Sequence, residues 1–261
     1  MSPDPLASQF PSWSPYVFVN NSPIMYTDPD GRYAVSVHYK ITYKAMIKLG
    51  YSKAIAKNIA HYSSVYADHP TEKVLYVDNK LNGTNLSYKT EIDYSPTANS
   101  QNESNSMWHS MMSDAEAESG MTHAESMQRG LEFGWNNIFA QQDGEDLGKL
   151  GQGLHALQDA YAHKGASTDE HLGANISSAK MVWNDMYGNT SNASLITESA
   201  GVVLQLFNGN SSSLKNGMAL DFSGMSSKQL NSVTSMFNNS GYNLKAGEQK
   251  GAYTLEQIKT E

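Results

Sequence analysis

A chain of 261 residues with a formal net charge of −8 and no cysteine can bury a sizeable core, yet it holds neither disulfides nor thiolate metal ligands. Any zinc it binds must be held by His, Asp or Glu, and the acidic balance argues against an extended phosphate-binding surface. No segment approaches the roughly 20 apolar residues that span a bilayer, so no transmembrane segment is expected.

The stretch "MSPDPLASQFPSWSPYVFVNN" has no basic region followed by an apolar run, and so does not read as a signal peptide. Pro3, Pro5, Pro11, Pro15, Pro23 and Pro29 make this a Pro-rich N-terminal segment, interspersed with aromatics and closed by the turn signal "TDPDGR". From Asp4 to Arg32, "DPLASQFPSWSPYVFVNNSPIMYTDPDGR" resembles the end of the core region of Rhs/YD-repeat proteins. In that family the repeats form a β-shell and the segment beyond the core is a variable C-terminal toxin. The resemblance implies that residues 1–32 end an Rhs core and that residues 33–261 are an α-helical toxin or hydrolase domain. It also implies a secreted effector, carried by the Rhs shell and a secretion apparatus into a target cell and neutralised in its producer by an immunity protein. Asp28 and Asp30 lie where many members carry a self-cleavage DP-x-G motif, here in one copy.

Beyond this seam, "VHYKITYKAMIKLGYSKAIAKNIAHYSSVYADHP" reads as two helices. Ile41, Ala45 and Leu49, then Ile55, Ile59 and Tyr62, recur at helical spacing. Gly50 ends the first, Ser52 caps the second and Pro70 stops it. "VLYVDNKLNGTNLSYKTEIDY" offers an Asn-Gly turn between alternating runs and predicts a small β-hairpin insertion. "SPTANSQNESNS" is a loop. Helical patterning resumes from Met107 to about Ala140, then from about Glu145 to Ala162. "SAKMVWNDMYGN" and "SNASLITESAGVVLQLFNGN" predict further helices, and "SSKQLNSVTSMF" and "TLEQIKTE" two weaker ones. The body is therefore mainly α.

Within "LGQGLHALQDAYAHKG", His155, Asp159 and His163 are spaced by four, so each lies about 40° around the helix from the last and all three share one side. Imidazole and carboxylate are the ligands zinc accepts where thiolates are lacking. Gly151, Gly153, Ala156, Ala160 and Ala162 allow other helices to approach that arc and bring further ligands. Candidates are His38, Asp68, His69, His109 and His171; His61 and His123 read better as packed or hydrogen-bonded residues.

The run "LHALQDAYAH" resembles the metal-binding helix of the zinc-dependent phospholipase C superfamily, which includes zinc-dependent single-strand nucleases. The resemblance implies a helical bundle of that type with one to three Zn²⁺ ions, and it places His155, Asp159 and His163 as helix ligands with Asp159 bridging two zincs. It places His38 as an early-helix ligand, Asp68 as both ligand and catalytic proton acceptor, His109 as the histidine completing that zinc, and His171 as a later ligand. Two features depart from the family. Its enzymes ligate through a mature N-terminal residue, whereas 37 residues precede His38, and its H-x3-E motif is broken because Asn175 follows His171. Asp169, Glu170 and Asp185 are the nearby carboxylates among which the sequence does not choose.

The resemblance implies metal-assisted phosphodiester hydrolysis, which needs no serine or cysteine nucleophile, and accordingly no G-x-S-x-G elbow or G-x-G-x-x-G loop occurs. Phospholipase C-like attack on membrane phospholipids is the leading expectation, with Tyr39, Tyr43, Trp108, Tyr161 and Trp183 as candidate apolar surface. A zinc-dependent nuclease is the first alternative, and a non-catalytic, metal-stabilised binding domain the second.

Overall fold

The computed structural model describes residues 34–172 and 190–259. The Rhs-like segment, the helix predicted over "SAKMVWNDMYGN", Trp183 and Asp185 lie outside the described residues, as does the side chain of His171. Helix α1 spans Val35–Lys48 and α2 Lys53–His61, and α2 continues through a π-helical turn, Tyr62–Tyr66. Ser52 caps α2 through Ile55 N, as its position predicts. Helix α3 spans Glu72–Asn82.

That helix corrects the predicted hairpin. Thr71 caps it by accepting from Val74 N, and Leu75 and Asp78 turn inward three residues apart. The Asn-Gly pair is not a hairpin turn: Gly83 ends α3 in the left-handed conformation, φ 62°. Burial of one helical face outweighed the alternating pattern. The region from Met107 to Ala140 is likewise broken, into a 3₁₀ stretch (Glu103–His109), α4 (Asp114–Glu118) and α5 (His123–Phe139).

Helix α6, Leu147–His163, is the axis of the molecule. It packs against α5, the π turn, the 3₁₀ stretch and α8 (Ser191–Phe207), while the short α7 (Thr168–Leu172) follows it. From Leu150 to Ala160 every residue except Gln152 is buried, so α6 is enclosed on nearly all sides. Its glycines permit this. A Cβ on Gly153 would lie 2.9 Å from the carbonyl oxygen of Gly134 in α5, and one on Gly151 would lie 2.3 Å from that of Tyr62. Leu154, Leu157, Trp135, Ile138, Ile196 and Val203 fill the core around the crossing. Each such side chain contributes about 1.5–3 kcal/mol by burial.

The β structure comes late in the chain. Strands β1 (Ala219–Asp221), β2 (Tyr242–Ala246) and β3 (Ala252–Gln257) form an antiparallel sheet in the order β1-β3-β2, with α9 (Ser227–Asn239) between β1 and β2. Strand β3 overturns the helix predicted over "TLEQIKTE". Tyr253 and Thr254 favour extended backbone, Leu255 enters the core, and strands pair on both edges. The architecture is mainly α with a small sheet. No helix among the described residues is long and apolar enough to cross a membrane.

Candidate metal centre

His38, Asp68, His109, His155, Asp159 and His163 converge from four parts of the fold, all buried. Asp159, from the middle of α6, is the hub. Its Oδ1 lies 3.2 Å from His38 Nε2 and 3.3 Å from His163 Nε2; its Oδ2 lies 3.2 Å from His109 Nδ1 and 3.0 Å from His155 Nε2. Asp68 completes the second group, with Oδ1 3.8 Å from His155 Nε2. The His38 and His155 rings also touch, tilted by 38° with centroids 4.0 Å apart.

Local structure explains each placement. His38 sits one turn into α1, whose first turn is held from outside the helix by Asp78 of α3: Ser36 donates its N–H (2.8 Å) and its hydroxyl (2.9 Å) to that carboxylate. Asp68 follows the π turn, which inserts into α2 where α6 approaches through Gly151. The loop after α3 ties Asp68 to His109, because Ser100 donates through Oγ to the Asp68 carbonyl (2.7 Å) and accepts through its own carbonyl from His109 Nε2 (3.1 Å). Ser110 then turns left-handed, φ 52°, and donates to the Ala156 carbonyl of α6 at 2.7 Å. Gly130 leaves room for this turn, since a Cβ there would fall 2.0 Å from Ser110 Oγ.

The tautomers of two rings follow from their outer partners. His155 Nδ1 faces the Ser63 carbonyl at 3.1 Å, and His109 Nε2 faces that of Ser100. A carbonyl only accepts, so those nitrogens carry hydrogen and the neutral rings turn their lone pairs toward Asp159. Hydrogen-bonded outer nitrogens of this kind orient metal-ligating histidines.

The electrostatics agree. Protonated, the same rings act on Asp159: burial pushes its carboxyl up, but the charges of His155, His163 and His38 and a hydrogen bond from His109 outweigh it and hold it well below the usual carboxylate range. Burial pulls His38 down, yet Asp159, Asp68 and Gln158 together raise it above an ordinary histidine. The cluster thus stabilises positive charge around a central anion. Ligand atoms of His38, His155 and Asp159 lie within 4.8 Å of one another, as do those of Asp68, His109 and His155. A tetrahedral zinc with bonds of 2.0–2.1 Å separates its ligands by about 3.3 Å, close to the spacings around Asp159. Each of these two buried His/Asp sets, which share His155, could hold a metal ion.

Six of the seven residues predicted as ligands meet here; the seventh, His171, lies in α7 with its side chain outside the described residues. His69 does not join them. It stands at φ 43° with Nδ1 3.4 Å from Thr97 Oγ1. His61 shares a hydrogen bond with Tyr94 (2.7 Å), and His123 pairs with Glu170 (2.7 Å), matching their reading as packed or paired residues. Among the predicted aromatic surface, Tyr43 and Tyr161 pack on the core, and Tyr39 stacks on Tyr43. Sequence reasoning missed Gln158, Asp78, Ser63 and Ser100. Only Gln158 left a signal, as a second polar residue directly before Asp159 in "ALQDA". Compared with models of protein families, with curated proteins and with solved structures, the chain matches none.

Proposed function

We propose that this chain is a zinc-dependent phosphodiester hydrolase acting as a toxin, with membrane phospholipid as its substrate. The observation that carries this reading is the placement of Asp159, each of whose oxygens faces two imidazole nitrogens at 3.0–3.3 Å. A structural zinc site is usually one closed tetrahedron, whereas a shared carboxylate suits the paired ions of phosphodiesterases. His38, His155 and Asp159 form one set that would hold an ion, and Asp68, His109 and His155 the other, with His163 beside Asp159 Oδ1. Bound there, such ions polarise phosphoryl oxygens and make water acidic enough to supply hydroxide near neutral pH.

The chain's own residues do the rest. The Ser63 and Ser100 carbonyls orient His155 and His109. Asp68, whose Oδ1 lies 3.8 Å from His155 Nε2, would take the proton of an attacking water, while its backbone carbonyl is held by Ser100 and Gln101. The Rhs-like residues 4–32 support delivery as an effector, with an immunity protein as partner in the producer. The acidic net charge favours lipid over an extended nucleic acid.

The test is metal analysis of wild type beside Asp159→Asn, followed by assays on phosphatidylcholine vesicles and single-stranded DNA. About two zincs per chain, lost with Asp159, and release of phosphorylated headgroup are expected. Release of nucleotides alone would identify the nuclease of the same superfamily. Zinc without either activity would leave a metal-stabilised binding domain, and no zinc would end the hydrolase reading.

A further inference from the structure

Gln158 precedes Asp159 on α6, is fully buried, and touches the cluster from its other side. Its Oε1 lies 2.7 Å from His38 Nδ1, and its Nε2 lies 2.8 Å from Thr42 Oγ1 and 3.1 Å from Thr197 Oγ1. The two ends of an amide have nearly the same shape, so its orientation must be read from the groups around it.

Thr197 decides the matter. Its hydroxyl hydrogen goes to the Ala193 carbonyl, 2.6 Å away and one turn back in α8. Its oxygen is therefore an acceptor toward Gln158, and only the NH₂ end of an amide can face an acceptor. The amide carbonyl is then the end turned to His38. Thr42 stands on the NH₂ side as well, itself 2.7 Å from Ser63 Oγ, so the amide is gripped from α1 and from α8. With a carbonyl at 2.7 Å, His38 Nδ1 carries hydrogen. The lone pair of the neutral ring falls on Nε2, the nitrogen 3.2 Å from Asp159 Oδ1.

We propose that Gln158 is a positioning residue: it fixes the tautomer of His38 and so makes His38 Nε2 a ligand for a divalent cation on the Oδ1 side of Asp159. This rests on the metal reading of the cluster given above. Were the amide reversed, its NH₂ would demand a lone pair at Nδ1, and Nε2 would carry hydrogen and could not ligate. His109 and His155 are oriented by backbone carbonyls, which side-chain substitution does not remove. His38 is oriented by a side chain, so its tautomer is open to mutation.

The experiment compares wild type, Gln158→Leu and Gln158→Glu in the full chain. Zinc affinity and stoichiometry are measured by competition with a chromophoric chelator, and the His38 ring nitrogens are read by ¹⁵N–¹H NMR in metal-free protein at a pH where the ring is neutral. Wild type is expected to show hydrogen on Nδ1. Gln158→Leu is expected to shift hydrogen to Nε2 and to weaken one zinc by about 10- to 100-fold while leaving the other unchanged. Gln158→Glu keeps an acceptor and is expected to restore both properties. Hydrogen on Nε2 in wild type overturns the proposal. So does equal weakening of both zincs in the two variants, which is the mark of a merely structural role. Zinc-loaded wild type with unchanged affinity in Gln158→Leu overturns this inference alone, whereas no zinc on wild type overturns the metal reading with it.

Discussion

Nδ1 of His109 and Nε2 of His155 face each other at 2.9 Å while the far nitrogen of each ring points at a backbone carbonyl. Neutral rings held in this way aim two lone pairs at one another, with Asp159 Oδ2 as a third acceptor beside them. Such a group is at rest only with a proton or a metal ion among its members.

Zinc is therefore expected to stabilise the fold. At 1,000 times its dissociation constant a ligand adds about 4 kcal/mol. For a domain of this size that raises Tm by about 8–16 °C. Thermal unfolding with zinc and then with EDTA measures it, and a Tm indifferent to both would mean that protons alone hold the ring pair.

Gly151→Ala tests the approach of α6 to the π turn. The added Cβ would lie 2.3 Å from the oxygen and 2.4 Å from the carbon of the Tyr62 carbonyl, so backbone has to move. Overpacking of this kind costs about 1–3 kcal/mol. The displaced segment includes Ser63, whose carbonyl orients His155. Lower stability in urea and weaker zinc binding are expected together; unchanged stability would show that the turn yields without strain.

His61 gives the fold a pH dependence separate from the metal centre. Burial, assisted by the charge of Lys89 and opposed by Glu91, pulls it from 6.5 down to about 4. Between those values the unfolded chain binds a proton that the folded one refuses, so stability rises with pH. His61 thus contributes fully above about pH 6.5, and its contribution is lost as pH falls toward 4. Urea midpoints of metal-free protein across this range should fall less steeply in His61→Gln than in wild type. Equal slopes would place the effect elsewhere.

The legible parts of the fold were those with local causes. Ser52 and the apolar spacing of α1 and α2 act within a few residues, and four-residue spacing alone puts His155, Asp159 and His163 on one side of α6. The misread elements depended on distant partners. Asn82-Gly83 ends a helix because Leu75 and Asp78 are wanted inside, and Leu255 is a strand residue because β1 and β2 flank it. The ligands of the site were legible as residue types, but their supports were not: Ser63 and Ser100 act through carbonyls that every residue possesses. Asp78 acts on a helix 42 positions away.

The order β1-β3-β2 sets a sequence of events during synthesis. The strand that lies between the other two is the last of the three to leave the ribosome, so β1 waits without a partner while α9 and then β2 are made. Tyr161 of α6 meanwhile has its hydroxyl partner, Asp221, on β1. The helix bearing the ligands is therefore made early, but its anchorage to the sheet waits for a strand that is translated much later.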